Sequence, residues 1–407
     1  MAVNLHPITD LAPINGVALG VARANIGKPG RKDLLVIALA EGAQVAGVFT
    51  RNRFCAAPVI LARGHIGTAL GVRALLVNSG CANAGTGKDG IARAMQTCDA
   101  LAERLGCSPQ QVLPFSTGVI MEPLPVERVI AGLPACIQNL KEDNWLAAAE
   151  AIMTTDTVPK ALSQRLHLDG AEVRMTGIAK GAGMIHPNMA TMLAFIATDA
   201  SLSRPALEHA VREACRRSFN RVSVDGDTST NDAFILIATG RGGGPVMDDI
   251  TRPEYAIFEQ TLTAAAQQLA QAIVRDGEGA TKFITVEVEG GATEAECERV
   301  GFAIARSPLV KTAFFASDPN LGRLLAAIGS AGIEDLDPDA IRLYLNDMVV
   351  AEAGGRSSLY EEAKARQAMR GEEITVRVAL GRGRASAIVW TCDLSYDYVK
   401  INAEYRT

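Results

Sequence analysis

Apolar positions along the chain follow two rhythms. Residues 34–40, 45–49, 72–77, 172–178, 189–197, 232–238 and 283–288 are short apolar or alternating runs, as are 341–350, 373–380 and 385–392. Gly, Lys, Arg or other turn formers bound most of them, so they read as strands. Residues 16–62 as a whole read as short strands and turns, and 313–316 is strand-like. The second rhythm is helical. Ile91, Met95, Cys98, Leu101 and Leu105 recur at steps of four and three, which predicts a helix over 89–105 closed by Gly106. Helices are also expected at 125–140, which starts on a proline, and at 144–153, 204–219, 255–274, 294–305, 321–328 and 361–370. Residues 381–384, Gly-Arg-Gly-Arg, join two strand runs directly and read as a hairpin-like turn. Alternating types with some directly joined strands predict an α/β fold: layered mixed sheets flanked by helices, not one parallel sheet. No repeat of roughly 20–50 residues is present, which excludes solenoids and propellers.

Length and composition narrow the class. A chain of 407 residues suggests two or three domain-sized units. Hydrophobic residues at 48% and charged residues at 21% suit a globular protein with large cores. The net charge of −5 without a basic block, and only 5% aromatic residues, argue against a nucleic-acid partner. No run of about 18 apolar residues predicts a membrane span, and the first twenty residues lack the pattern of a signal peptide. The eight cysteines form no C-x-x-C pair, so zinc and redox motifs are not supported; free thiols in a reducing cytoplasm are expected.

The candidate chemistry centres on KGAGMIHPNMATMLAFIATD from Lys180. Its first half is a loop with Gly181, Gly183 and Pro187; its second half is an apolar strand with Thr191 near its start. A hydroxyl there is a candidate nucleophile, although a threonine in a strand ordinarily bonds only its neighbouring backbone. Asn78 to Lys88 looks like a phosphate loop but fails the pattern: Ala82 replaces the first glycine and Asp89 follows the lysine. A strand-to-helix turn is the better reading. Asp225, Asp227 and Asp232 have D-x-D spacing without the rest of a calcium loop, so a structural network is favoured over a metal. No histidine pair has metal-ligand spacing, and His186 reads as structural.

Taken with VNSGCANAGTG from Val77, PFSTGVI from Pro114, TTDT from Thr154, VDGDTSTND from Val224, RDGEGATKF from Arg275 and the terminal KINAEYRT, that central stretch resembles the ornithine acetyltransferase (glutamate N-acetyltransferase) family over the whole chain. The resemblance implies self-cleavage between Ala190 and Thr191, giving an α chain of residues 1–190 and a β chain of 191–407, the latter with subdomains 191–290 and 291–407. Thr191 would become an amino-terminal nucleophile, its own amine serving as base. Thr117 and Gly118 would stabilise the oxyanion. Thr154, Lys180, Thr191, Glu278, Asn402 and Thr407 would bind substrate, with Lys180 a candidate partner of an α-carboxylate. Tyr396, Tyr398, Val399 and Ile401 could anchor the chain end by apolar contact. The implied reaction moves acetyl from N2-acetylornithine to glutamate in arginine biosynthesis, in the cytoplasm, by a heterotetramer of two α and two β chains. No cofactor or metal is implied; acetyl-CoA is a further acetyl donor for some members. The implied fold is a sheet sandwich shared with autocatalytic N-terminal-nucleophile aminopeptidases. An N-terminal-threonine amidohydrolase or aminopeptidase is the alternative enzyme, and an uncut binding protein the non-enzyme alternative.

Overall fold

The computed structural model describes residues 2–5, 7, 8, 10–186 and 192–404. The remaining positions, with Ala190, Thr191 and Thr407 among them, lie outside the described residues. Three sheets organise the described chain. The first has four strands in the order Val17–Ala22, Leu34–Leu39, Ala74–Cys81 and Val112–Val119. Only its last pair is parallel, joined by the crossover helix Gly87–Leu105. The second has five strands in the order Gln44–Phe49, Ala233–Ala238, Leu193–Thr198, Ala171–Lys180 and Lys160–Leu168.

These two sheets pack face to face. Leu35, Ile37, Val77 and Phe115 of the first meet Ile178, Phe195, Ile235 and Ile237 of the second in one core. The Phe115 and Phe195 rings cross edge to face at 5.2 Å. Helices Gly87–Leu105 and Val126–Gln138 cover the outer face of the first sheet. Helices Arg204–Arg216 and Pro253–Arg275 cover that of the second. In Leu193–Thr198, Leu193, Phe195 and Ala197 therefore face the sheet-to-sheet core, while Ala194 and Ile196 face the helices. A strand buried on both sides reads as an unbroken apolar run, which is why the central stretch shows no alternation. The layered, mixed-sheet architecture expected from the sequence is the one observed.

The third sheet has seven strands: Gly355–Arg356, Met348–Glu352, Arg342–Leu345, Glu373–Ala379, Phe283–Gly291, Ala385–Cys392 and Val222–Ser223. It corrects the expected hairpin. Residues 381–384 do not close a hairpin, because Phe283–Gly291 runs between the two strands they connect, parallel to one and antiparallel to the other. The turn instead wraps the end of that strand, with Leu380 N–H on Glu289 O at 2.9 Å and Arg382 N–H on Gly290 O at 2.7 Å. A Cβ on Gly383 would stand 2.4 Å from Gly291 O, so this crossing requires glycine. Residues 313–316 are not a strand either; they belong to helix Pro308–Phe315 and its C-cap. Ser307 caps that helix on Val310 N–H, and Val310, Ala313 and Phe314 form its buried face. Four residues are too few to reveal a helical period. Residues 341–350 form two strands broken at Asn346, which takes a positive φ of 49°. Residues 57–62, expected as strands and turns, are corrected: they open helix Ala57–Ile66, which has a proline in its first turn, and strand Lys160–Leu168 has no counterpart in the sequence reading. Among the described residues no helix is long and apolar enough to cross a membrane.

Candidate active site

The parallel strands Ala74–Cys81 and Val112–Val119 end together, and their ends form one wall of a pocket. Gly118 stands at φ +136°, and a Cβ there would lie 2.3 Å from Gly80 C and 2.6 Å from Cys81 N. Only glycine lets the two backbones close up at this point. Asn231 ties the opposite loop to this wall, donating to Ala82 O at 2.7 Å and Ser116 O at 2.9 Å. Thr117 is buried, and its Oγ1 accepts a hydrogen bond from Lys180 Nζ at 3.1 Å. Lys180 closes strand Ala171–Lys180, so a rigid strand on each sheet aims one member of the pair.

Beneath Lys180 lies a charged cluster with almost no solvent exposure. Lys160 Nζ donates to Asp156 Oδ1 at 2.7 Å and to Asp276 Oδ2 at 2.6 Å. Burial pushes the Asp156 carboxyl up, but the Lys160 and Lys180 ammoniums and the Gly181 N–H outweigh it and hold it below the usual range. For Lys160, burial is outweighed by its two carboxylates, so its pKa is raised. For Lys180, burial wins and the pKa is lowered, Asp156 offsetting part of the effect. Asp156 is also a backbone hub: Oδ1 accepts Gly181 N–H at 2.7 Å and Oδ2 accepts Thr154 N–H at 3.0 Å. One carboxylate therefore draws two separate candidate binding segments together.

The third wall comes from residues 276–280 and the C-terminal helix Tyr396–Ala403. Glu278 N–H donates to Ala182 O at 2.8 Å, and Glu278 Oε2 accepts from Asn402 Nδ2 at 2.7 Å. A Cβ on Gly183 would fall 2.5 Å from the Glu278 carboxyl, so this glycine makes room for it. The helix is held by polar contacts: Ser395 Oγ donates to Gly279 O at 2.6 Å, and Tyr398 OH to Asp225 Oδ2 at 3.4 Å. Of the apolar anchor expected there, Tyr398 and Ile401 are half-buried and the Tyr396 ring meets Phe315 edge-on at 5.5 Å, whereas Tyr396 is otherwise 83% and Val399 65% exposed.

Two aspartates of VDGDTSTND hold the chain on either side of residues 187–191. Asp225 accepts Met184 N–H at 2.5 Å and Ile185 N–H at 2.9 Å. Asp232 Oδ1 accepts Met192 N–H at 3.0 Å. Both carboxylates thus serve as acceptors for backbone N–H groups on the loop and strand they face. His186 packs edge-on against Phe302 at 5.4 Å with Nδ1 3.3 Å from Ser223 Oγ. Burial, with Arg306 second, lowers its pKa to about 4, so it is neutral at pH 7.

All these walls enclose a cavity of about 250 Å³. Thr117, Gly118, Thr154, Lys180, Glu278 and Asn402 all line it, so every expected site residue that is described lies in one pocket. Ala190, Thr191 and Thr407 lie outside the described residues. A larger cavity of about 730 Å³ shares Gly118, Val119, Thr154 and Thr155 with it and reaches Lys28 and Arg31. The sequence reading missed Lys160, Asp276 and Asn231, and assigned no role to Asp156, although TTDT contains it. The Thr154 N–H that Asp156 accepts lies two residues before it, the reverse of an Asx turn, so the place of Asp156 within TTDT was the available clue.

The ArgJ family profile matches residues 18–407. The chain is 57% identical over 410 residues to the arginine biosynthesis bifunctional protein ArgJ of Neisseria meningitidis serogroup A, with both chains fully covered. Among solved structures it resembles the arginine biosynthesis bifunctional protein ArgJ of Bacillus halodurans at 37% identity and a TM-score of 0.49, covering 51% of this chain and 96% of that one. Ornithine acetyltransferase of Mycobacterium tuberculosis, in complex with ornithine, matches at 31% identity and a TM-score of 0.38, covering 45% of this chain and 96% of that one. With the profile spanning nearly its whole length and a full-length relative more than half identical, the chain belongs to the ArgJ family.

Proposed function

We propose that the chain is cut between Ala190 and Thr191, and that the threonine so exposed carries acetyl from N2-acetylornithine to glutamate. Family membership makes acetyl transfer in arginine biosynthesis the activity of this chain. The observation that carries the detailed reading is the single pocket lined by Thr117, Gly118, Thr154, Lys180, Glu278 and Asn402.

In the proposed cut, the Thr191 hydroxyl attacks the Ala190 carbonyl, the C–N bond breaks, and water opens the resulting ester. The nitrogen of Thr191 changes from an amide to an amine with a reference pKa of about 7.7–8.0, able to take the hydroxyl proton. In the first half-reaction Thr191 Oγ attacks the acetyl carbonyl of acetylornithine and its proton passes to the amine. The developing oxyanion takes hydrogen bonds from the Thr117 hydroxyl and the Gly118 N–H. Lys180 supports the first of these. Because Thr117 Oγ1 accepts from Lys180 Nζ, the hydroxyl hydrogen of Thr117 is free to point at the oxyanion. Collapse expels ornithine, whose nitrogen takes the proton back. Glutamate then attacks the acetyl-threonine ester through its α-amine, the ester C–O bond breaks, the proton of that amine returns to Thr191 Oγ by way of the Thr191 amine, and N-acetylglutamate leaves. Lys180, Glu278, Asn402 and the chain end at Thr407 hold the substrate's charged groups. Acetyl-CoA, where it serves as donor, would acylate the same threonine, with the larger cavity beyond Gly118 giving room for it.

Residues 1–190 and 191–407 are then the two chains of the working enzyme, a cytoplasmic heterotetramer of two of each, with 191–290 and 291–407 the subdomains of the second. Intact mass spectrometry tests the reading. Two pieces divided at 190/191 are expected, with an acetyl adduct on the 191–407 piece after exposure to acetylornithine. The adduct should discharge rapidly to glutamate and slowly to buffer. Equal discharge to both would move the assignment to an N-terminal-threonine amidohydrolase.

A further inference from the structure

Residues 23–33 connect strands Val17–Ala22 and Leu34–Leu39 at the rim of the larger cavity. One buried carboxylate shapes this loop. Asp33 Oδ1 accepts Ala24 N–H at 2.6 Å, and Oδ2 accepts Ile26 N–H at 2.5 Å. Asp33 O also accepts Ser79 N–H at 3.0 Å. Gly27 is pressed onto Gly80, near the end of strand Ala74–Cys81: a Cβ on Gly80 would stand 2.5 Å from Gly27 Cα. The loop backbone is thus fixed against the wall that holds Gly118, and its side chains are placed with it.

The cations of this loop are not equivalent. Lys32 pairs with Glu150. Lys28 and Arg31 line the larger cavity, and among the described residues neither pairs with a carboxylate. Arg31 Nη1 donates to Thr154 O at 3.0 Å. Thr154 lines both cavities, so this bond brings the guanidinium to their junction. A guanidinium held by one of its donors keeps others for a carboxylate, whose two oxygens match its planar fork. Glu122 and Glu404 line the same cavity, so an anion is held there by a directed contact and not by net charge.

The two amino acids of the proposed reaction share an α-carboxylate and differ at the far end. Ornithine carries an ammonium there, glutamate a carboxylate. The narrower cavity presents the Glu278 carboxyl, buried and bonded to Asn402. That group attracts the ornithine ammonium and repels the glutamate side chain, so one set of contacts cannot favour both. We infer that Arg31, with Lys28 as a second cation, receives the side-chain carboxylate of glutamate and so selects the acyl acceptor, a reading that rests on the proposed function. The α-amine of glutamate then lies toward Gly118, which both cavities share, while its side chain extends into the larger one. The donor does not compete for the space, because ornithine leaves before glutamate enters a two-step transfer. Selection of this kind is a difference of affinities: glutamine keeps the shape of glutamate and loses the ion pair.

The test loads the wild-type enzyme and its variants with acetyl from acetylornithine and follows discharge of the adduct to glutamate and to glutamine. Arg31 is exposed, so solvent screens part of the contact. Arg31→Gln is expected to lower the glutamate-over-glutamine ratio of kcat/KM about 5- to 30-fold, mainly through the KM for glutamate. Lys28→Met should lower it about twofold. Arg31→Lys keeps the charge and loses the fork, and should fall between wild type and Arg31→Gln. An unchanged ratio in Arg31→Gln would make Arg31 a solvated surface cation and overturn the inference. Equal losses in loading by acetylornithine and in discharge to both acceptors would mean that Arg31 acts only by fixing Thr154, and would overturn it too. A loss confined to loading by acetyl-CoA would give the cavity to the phosphates of a thioester donor instead and overturn it likewise. Failure of the proposed function is separate: the wild-type protein would then take up no acetyl from acetylornithine.

Discussion

Replacing Lys160 by methionine is the most demanding check on the buried charges behind the pocket. Methionine keeps most of the side-chain volume and removes the ammonium. Asp156 and Asp276, whose side chains are 0% and 1% exposed, would then have no direct cation. Removing one partner of a buried ion pair costs roughly 3–5 kcal/mol, because the other charge stays buried. Backbone donors remain, Gly181 and Thr154 N–H on Asp156 and Thr157 N–H on Asp276, so the lower end is expected. At roughly 2–4 °C per kcal/mol for large domains, the melting temperature should fall by about 6–12 °C. The pH dependence gives a sharper criterion. In wild type the folded pKa of Asp156 is depressed, so its contribution is present above about pH 3.9 and is lost only as pH falls below that value. Without Lys160, burial is opposed mainly by Lys180 and the N–H donors, and the folded pKa moves upward. A carboxyl raised in the folded state destabilises it at neutral pH and relaxes as pH falls. The stability gap that Lys160→Met opens in the single-chain Thr191→Ala background, measured by urea denaturation, should therefore narrow from pH 7 to pH 5. KM should also rise, because Asp156 fixes Thr154 and Gly181. A loss under about 1 kcal/mol, or a gap that widens toward acid pH, would refute the reasoning about this cluster.

Four further predictions follow from the site. Thr191→Ala should stay a single inactive chain of 42.9 kDa on a denaturing gel; normal cutting would remove Thr191 as the nucleophile. Thr117→Ala should lower kcat by about 10²–10³ with little change in KM. Lys180→Met should cost far less in that background than in wild type, because part of its effect passes through Thr117; strict additivity in the double-mutant cycle would separate the two. Deleting residues 402–407 should raise KM for acetylornithine and glutamate while the fold persists, since Glu278 loses Asn402; unchanged KM values would make the chain end a free tail.

Legibility in the sequence followed the range of the interactions. Helix Gly87–Leu105 and strand Leu193–Thr198 were plain because period or run length is a local property. The placement of Phe283–Gly291 was not. Nothing near residues 381–384 records that a strand from ninety residues earlier lies between their neighbours. The same divide runs through the site. Thr117, Lys180 and Glu278 could be picked out because each sits in a recognisable motif. Lys160 could not: Asp156 lies four residues before it, but no helix there puts the two on one face, and its other partner Asp276 is 116 residues away. The signal that Asp156 mattered was present in TTDT, but its significance depended on Gly181 and Thr154 meeting at one carboxylate.

The order of the five-stranded sheet carries one more consequence. Gln44–Phe49, Ala171–Lys180 and Lys160–Leu168 precede position 191, whereas Ala233–Ala238 and Leu193–Thr198 follow it and lie between them. If the chain is cut there, the two pieces remain bound by shared strand pairing and a common core. Unfolding is another matter. The uncut chain refolds in a first-order process, its halves held at the high local concentration that a tether supplies. The cut protein has lost that tether, so refolding becomes an encounter between two molecules, and its yield should fall on dilution while that of Thr191→Ala does not. Each copy of the mature enzyme would thus be assembled once, under conditions it can no longer reproduce. Its lifetime would rest on how slowly it opens rather than on how readily it can return.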